Sequence, residues 1–129
     1  MNTPILPPTM APPAAHYVHA VLSTDTTRIL YSSGVVPTAP DGSTPEGIAA
    51  QAEQVWRNIE AILAEADLLV SDVVNVTTYV VADQLASLGE VMAARDRALG
   101  HHRAASTLVT VPALARPEWL MEIAVVATA

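Results

Sequence analysis

Two β-branched segments constrain this chain most. In Val73 to Val81 (VVNVTTYVV), Val74, Val76 and Val80 fall in one phase of the strand alternation, while Tyr79 and Val81 fall in the other. In Leu120 to Ala127, Leu120, Ala124 and Val126 alternate against Met121, Ile123 and Val125. Successive side chains of a strand point to opposite faces, so a segment apolar in both phases needs both faces covered. The chain supplies two helical patterns for that task. Ile48, Ala52, Val55, Trp56, Ile59, Ile62, Leu63 and Ala66 recur at three- and four-residue steps, with Gln51, Glu53, Arg57 and Glu60 opposite; Leu85, Leu88, Val91, Met92 and Leu99 repeat the spacing and end near Gly100. Two helices cover one face of a four- or five-stranded sheet. The second face is therefore expected to pack against other subunits, the alternative being an unusually apolar monomer surface.

The remaining segments fit around this frame. Residues 1–15 form a proline-rich, uncharged arm. His16 to Leu22 and Arg28 to Val36 read as two short strands of an opening hairpin, divided by the turn-forming run Ser23 to Thr27. After a loop from Pro37 to Gly42, Ser43-Thr44-Pro45-Glu46 carries a capping box and an early-helix proline, which predicts a helix start there. Ser106 to Val111 and Leu120 to Ala127 are the last two strands, joined by a loop from Pro112 to Pro117. The predicted order is ββαβαββ, an α/β (α+β) domain spanning 1–129 with one sheet and two covering helices.

Composition narrows the chemistry. Cysteine is absent, which excludes disulfides, thiolate nucleophiles and cysteine-ligated metals; lysine is absent too, which excludes Schiff-base catalysis and the P-loop phosphate contact. Thirteen acids face six scattered arginines, a net charge of −7, so a basic face for nucleic acid is not expected. No apolar run reaches the ~18 residues of a membrane span and the first residues lack a secretory pattern, so a cytoplasmic protein is expected.

Glu122 is the one acid inside the apolar run LMEIAVVA. Buried, it must be hydrogen-bonded or functional; exposed, it serves as a surface carboxylate that pairs with Arg28 or Arg103. Tyr17 either donates to a substrate heteroatom or is an amphipathic core aromatic. His16 and His19 fall on opposite faces of a strand, and His101 and His102 are adjacent, so neither pair suits a metal; no metal and no cofactor is expected. A histidine lining a cleft remains a candidate general base. Ser106 and Thr107 lack a recognisable histidine and acid at triad spacing and read as pocket hydroxyls.

Five segments in register resemble the Rid (YjgF) family: HYVHAV from His16, SSGVVP from Ser32, the helix containing IAAQAEQVWRNIEAILAEA, the strand VVNVTTYVV and the closing MEIAVVA from Met121. The resemblance implies a chorismate-mutase-like fold and a homotrimer whose sheets form a central barrel, with small-molecule clefts between subunits. It also implies hydrolysis of reactive enamines and imines, such as 2-aminoacrylate, to ketoacids and ammonia. The family's site residues resemble this chain at Tyr17, at the Ser33-Gly34 backbone and at Glu122, the carboxylate that would position or activate water. Three positions depart. The arginine that grips the substrate carboxylate falls on Ser106, which offers one neutral donor in place of a charged fork. The helix asparagine falls near Gly89, and a frequent cysteine falls on Leu108. Arg103, an odd number of steps from Ser106, is expected to face the other side, and Arg116 lies in the loop before the last strand.

Together these residues suggest an enzyme acting on a small imine, enamine or related carbonyl compound other than a standard 2-iminoacid. Glu122 and Tyr17 would be catalytic, with Ser33, Gly34, Ser106, Thr107 and Gly89 binding substrate. The alternative is a non-catalytic trimeric module that binds a metabolite or docks on a partner. An endoribonuclease activity fits poorly with the acidic charge.

Overall fold

The β-branched segment sits at the centre of the sheet, as its two apolar phases require. The computed structural model describes all residues, 1–129. Its elements are β1 (Asn2–Ile5), β2 (Ala20–Ser23), β3 (Ile29–Tyr31), α1 (Ile48–Glu65), β4 (Val73–Val81), α2 (Leu88–Leu99), β5 (Ala105–Val111) and β6 (Met121–Thr128). Short 3-10 turns at Val70–Asp72 and Ala82–Ser87 flank β4. The main sheet runs β3-β6-β4-β5, with β4 parallel to β5 and antiparallel to β6.

One face of this sheet is covered by both helices. Val76 and Val80 of β4, and Met121, Ile123, Val125 and Ala127 of β6, are buried against Ala52, Val55, Trp56, Ile59 and Leu63 of α1 and Val91 and Ala94 of α2. The alternation that buries these residues turns Thr77 and Tyr79 of β4, and Glu122, Ala124 and Val126 of β6, to the other face, which no helix covers. These side chains are only partly buried, and Tyr31, opposite Val126, is 74% exposed. The two-helix, one-open-face arrangement expected from the strand pattern is what the fold contains.

Three local expectations need correction. The opening hairpin of His16–Leu22 with Arg28–Val36 does not form. β2 pairs instead with β1, from within the proline-rich arm, and β3 pairs with β6. The reason lies in polar partners: the Asn2 and Ser23 side chains join Thr128 in one hydrogen-bonded cluster that ties both strands to the end of β6. The capping box at Ser43 is not used either. Ser43 gives its hydroxyl and backbone N–H to Asp41, forming a turn, and α1 starts after Gly47, whose φ of 85° suits glycine. Third, Gln51 is buried rather than on the polar face of α1, because the loop before β6 folds over it.

Candidate functional site

Glu122 is the second residue of β6 and lies directly opposite Tyr79 of β4 on the open face. The segment after β3 runs along the other side of β6. Val35 N–H donates to Ile123 O at 2.7 Å and Ile123 N–H donates back at 3.1 Å, while Ser32 Oγ accepts from Val125 N–H at 2.8 Å. These bonds fix Ser33 and Gly34 beside the carboxylate. Its side chain passes so close over Gly34 that a Cβ there would overlap Glu122 Oε2 and stand 3.0 Å from Cδ. Only glycine leaves room for the carboxylate in this position.

The carboxylate lines a hollow of about 280 Å³ together with Gly34, Tyr79, Val111, Ala113, Leu114 and Ala124. Ala113 and Leu114 belong to the loop between β5 and β6, which is held by one buried side chain. Gln51 Nε2 donates to Glu118 O at 2.8 Å and to Pro45 O at 3.0 Å, and Gln51 Oε1 accepts from Leu120 N–H at 2.9 Å. The core helix thereby sets the position of one wall of the hollow.

No cation lines this hollow. Arg116 lies 5.4 Å from the centre of the Trp119 ring and 3.9 Å from Glu118. Arg28 donates to Ala66 O and Asp67 O, Arg97 pairs with Glu53, and Arg95 is held by Asp96. Arg57 reaches back to Glu53 O. Arg103 is exposed ahead of β5, six residues before Val109, the β5 residue level with Tyr79 and Glu122. That separation is about 20 Å along an extended chain.

The predicted site residues fall into separate groups. Ser33, Gly34 and Glu122 are together. Tyr17 is elsewhere, next to the start of β5: Val18 N–H donates to Ala104 O at 3.1 Å, the Tyr17 hydroxyl accepts from Ala14 N–H at 3.4 Å, and its ring meets His19 edge-on at 6.2 Å. Ser106 is level with Val76 and shares its helix-covered face, whereas Thr107 is level with Thr77 and shares the open face with Glu122. Two strand spacings and two residues separate Thr107 from Glu122, about 12 Å between backbones. Gly89 occupies the first turn of α2, exposed, with open space around its Cα. Tyr79, Val111, Ala113 and Leu114 were not singled out from sequence. Tyr79 had a usable signal, its place in the phase opposite Val76 and Val80.

Three of the histidines serve the backbone. His16 Nε2 bonds to His102 O at 3.1 Å, His19 Nε2 to Ala11 O at 2.8 Å and His102 Nε2 to Val73 O at 2.6 Å, each ring nitrogen donating because a carbonyl only accepts. Asp41 is the one acid held below its usual range, first by the Ser43 hydroxyl and then by the Ser43 backbone N–H.

Comparison with known proteins agrees with this architecture. A Rid-family protein of unknown function from Yersinia pestis, YyfB, superposes with a TM-score of 0.89 at 32% identity, over 99% of this chain and 98% of that one. A RutC family protein of Haemophilus influenzae is 38% identical over 82 residues, 62% of this chain and 61% of its own length. The 2-iminobutanoate/2-iminopropanoate deaminase of Escherichia coli is 38% identical over 65 residues, 50% of this chain and 48% of its own length. The match thus spans about half to three-fifths of these two curated relatives. The sequence profile described as endoribonuclease L-PSP matches residues 8–129, and the chain belongs to that family, the Rid proteins.

Proposed function

We propose that this chain is an imine- or enamine-processing hydrolase of the Rid family, acting on a small molecule held over Glu122. The observation that carries this reading is the carboxylate lying across Gly34 in a hollow walled by Tyr79, Ala113, Leu114 and Ala124. A carboxylate in that position can take a proton from water as the water adds to a C=N carbon, then return it to the departing nitrogen. The name of the Escherichia coli deaminase supports the same chemistry. The substrate is one other than a standard 2-iminoacid, because β5 (Ala105–Val111), where the carboxylate-gripping arginine is expected, contains no arginine and no cation lines the hollow.

Three copies assemble in this proposal through the uncovered sheet face. Tyr17 and Thr107 stand at the edge of the sheet away from Gly34, so they join Glu122 in one cleft only when supplied by a neighbouring copy. Gly89, exposed in the first turn of α2, would complete that cleft from its margin, whereas Ser106 shares the helix-covered face with Val76 and stays outside it. No helix of the chain is long and apolar enough to cross a membrane, and the proposed setting is the cytoplasm. With a net charge of −7, the proposed ligand is a small molecule rather than nucleic acid.

The hollow's lack of a cation also favours a second reading, a trimeric module that binds a metabolite without transforming it. Ammonia release from freshly generated 2-aminoacrylate and from imines of apolar amino acids and amines separates the two. Activity that disappears in Glu122→Gln supports the hydrolase; a parent inert on every one of these imines supports binding alone.

A further inference from the structure

We infer that the Glu122 hollow selects a cationic imine head that carries no carboxylate, the protonated imine of a simple amine rather than of an amino acid. This rests on the hydrolase reading above and names its substrate class.

Charge and shape lead to it. Glu122 is the only charged side chain lining the hollow, and the rest of the lining is Gly34, Tyr79, Val111, Ala113, Leu114 and Ala124. Such a site presents one negative charge, one aromatic ring and an aliphatic wall. A carboxylate-bearing ligand brought here would meet Glu122 with no counter-ion from the same chain, a like-charge juxtaposition. A protonated imine meets the opposite situation. Its N–H groups can donate to the Glu122 oxygens, a charge-assisted hydrogen bond, and the Tyr79 ring adds a face suited to a cation. The aliphatic wall then accepts an alkyl group. At about 280 Å³ the hollow holds roughly nine groups the size of a water molecule, which suits a small alkyl imine.

The reaction balances without an oxidant. Water adds through oxygen to the imine carbon as Glu122 takes one of its protons, giving a neutral carbinolamine. Glu122 returns that proton to nitrogen, the C–N bond breaks with its electron pair leaving on nitrogen as ammonia, and the C=O bond forms as the hydroxyl proton passes to Glu122 and from it to the ammonia. The sum is iminium plus water giving carbonyl compound plus ammonium. The reaction class that supplies such a substrate is two-electron oxidation of a primary amine at its α-carbon, and the class that consumes the product acts on an aldehyde or ketone.

The test generates two imines in situ, one from isobutylamine with an amine oxidase and one from L-leucine with an amino-acid oxidase, and traps surviving imine with semicarbazide. The protein should accelerate ammonia release from the amine-derived imine at least ~tenfold more than from the 2-iminoacid. Glu122→Gln should abolish the effect. Acetamidine, a stable cation of the same shape, should compete, and its binding by calorimetry should be lost in Glu122→Gln. Preference for the 2-iminoacid overturns this inference while leaving the hydrolase reading intact, since a neighbouring copy would then supply an arginine. No acceleration of either imine, with Glu122-dependent acetamidine binding, keeps the cation site and overturns hydrolysis. No acceleration and no acetamidine binding overturns both.

Discussion

The Glu122 carboxylate lies across the backbone of Gly34, so close that no side chain fits between them. Two reciprocal hydrogen bonds between Val35 and Ile123 lock this crossing, which leaves Glu122 no room to adjust if Gly34 acquires a Cβ. Gly34→Ala is therefore expected to lower turnover of any imine substrate about 10²-fold by displacing the carboxylate. Glu60→Ala, on the exposed side of α1 and away from the hollow, should leave turnover within about twofold of the parent. A steady-state comparison of the two variants checks this, with circular dichroism to show that both are folded.

Gln51 connects the core to the site. Its amide makes three hydrogen bonds, two of them to Glu118 and Leu120 in the loop that carries Ala113 and Leu114. Gln51→Leu keeps the volume and removes all three, leaving two carbonyls and one N–H to find water. The expected cost is about 2–3 kcal/mol, seen as a Tm lower by roughly 10 °C. Because the loop loses its anchor, KM should rise more than kcat falls, which a purely global destabilisation would not produce at temperatures well below Tm.

Much of this was legible before any coordinates. The apolar positions from Ile48 to Leu63 and the nine residues of β4 are long periodic signals, and tertiary contacts only reinforced them. The opening hairpin was misread because strand propensity says where a strand runs and not which strand it pairs with; Asn2 and Ser23 decided that by bonding to Thr128, over a hundred residues away. Gln51 misled for a related reason, since an amide on a helix looks solvent-facing until a distant loop folds over it. Glu122, Ser33 and Gly34, matched through the family pattern, do lie together in the fold. Ser106 was matched to the family's arginine by its position in sequence, yet the face it occupies, the helix-covered one, depends on the register of β5 against β4, which sequence does not display.

The pH response of the Pro37–Gly47 loop should be local. Asp41 accepts from the Ser43 hydroxyl at 2.6 Å and from the Ser43 backbone N–H at 3.0 Å, and these bonds hold its carboxyl below its ordinary value of 3.8. A carboxyl whose native pKa is depressed contributes stability that is fully present above the unfolded value and disappears as pH falls through the native one. The turn should thus loosen only in acid, below the ordinary carboxylate range. Ser43→Ala removes the larger of the two causes, so the Asp41 titration followed by NMR should move upward in that variant.

The uncovered sheet face makes the strongest demand on assembly. Val126 is on this face with Glu122 and Ala124, level with Asn75 on one side and Tyr31 on the other. If three copies close this face into a barrel, an aspartate at position 126 puts several kcal/mol of unpaired charge into each of them. The parent should sediment at three times 13.5 kDa and Val126→Asp at the single-chain mass. Leu69→Asp is the matched control, because Leu69 is 68% exposed between α1 and β4, outside every strand of the sheet, and should leave the mass unchanged. Dissociation by Val126→Asp should also abolish imine turnover, since Tyr17 and Thr107 would no longer reach Glu122 from a neighbouring copy. A parent that sediments as a single chain would refute the shared cleft and leave the Glu122 hollow to act alone.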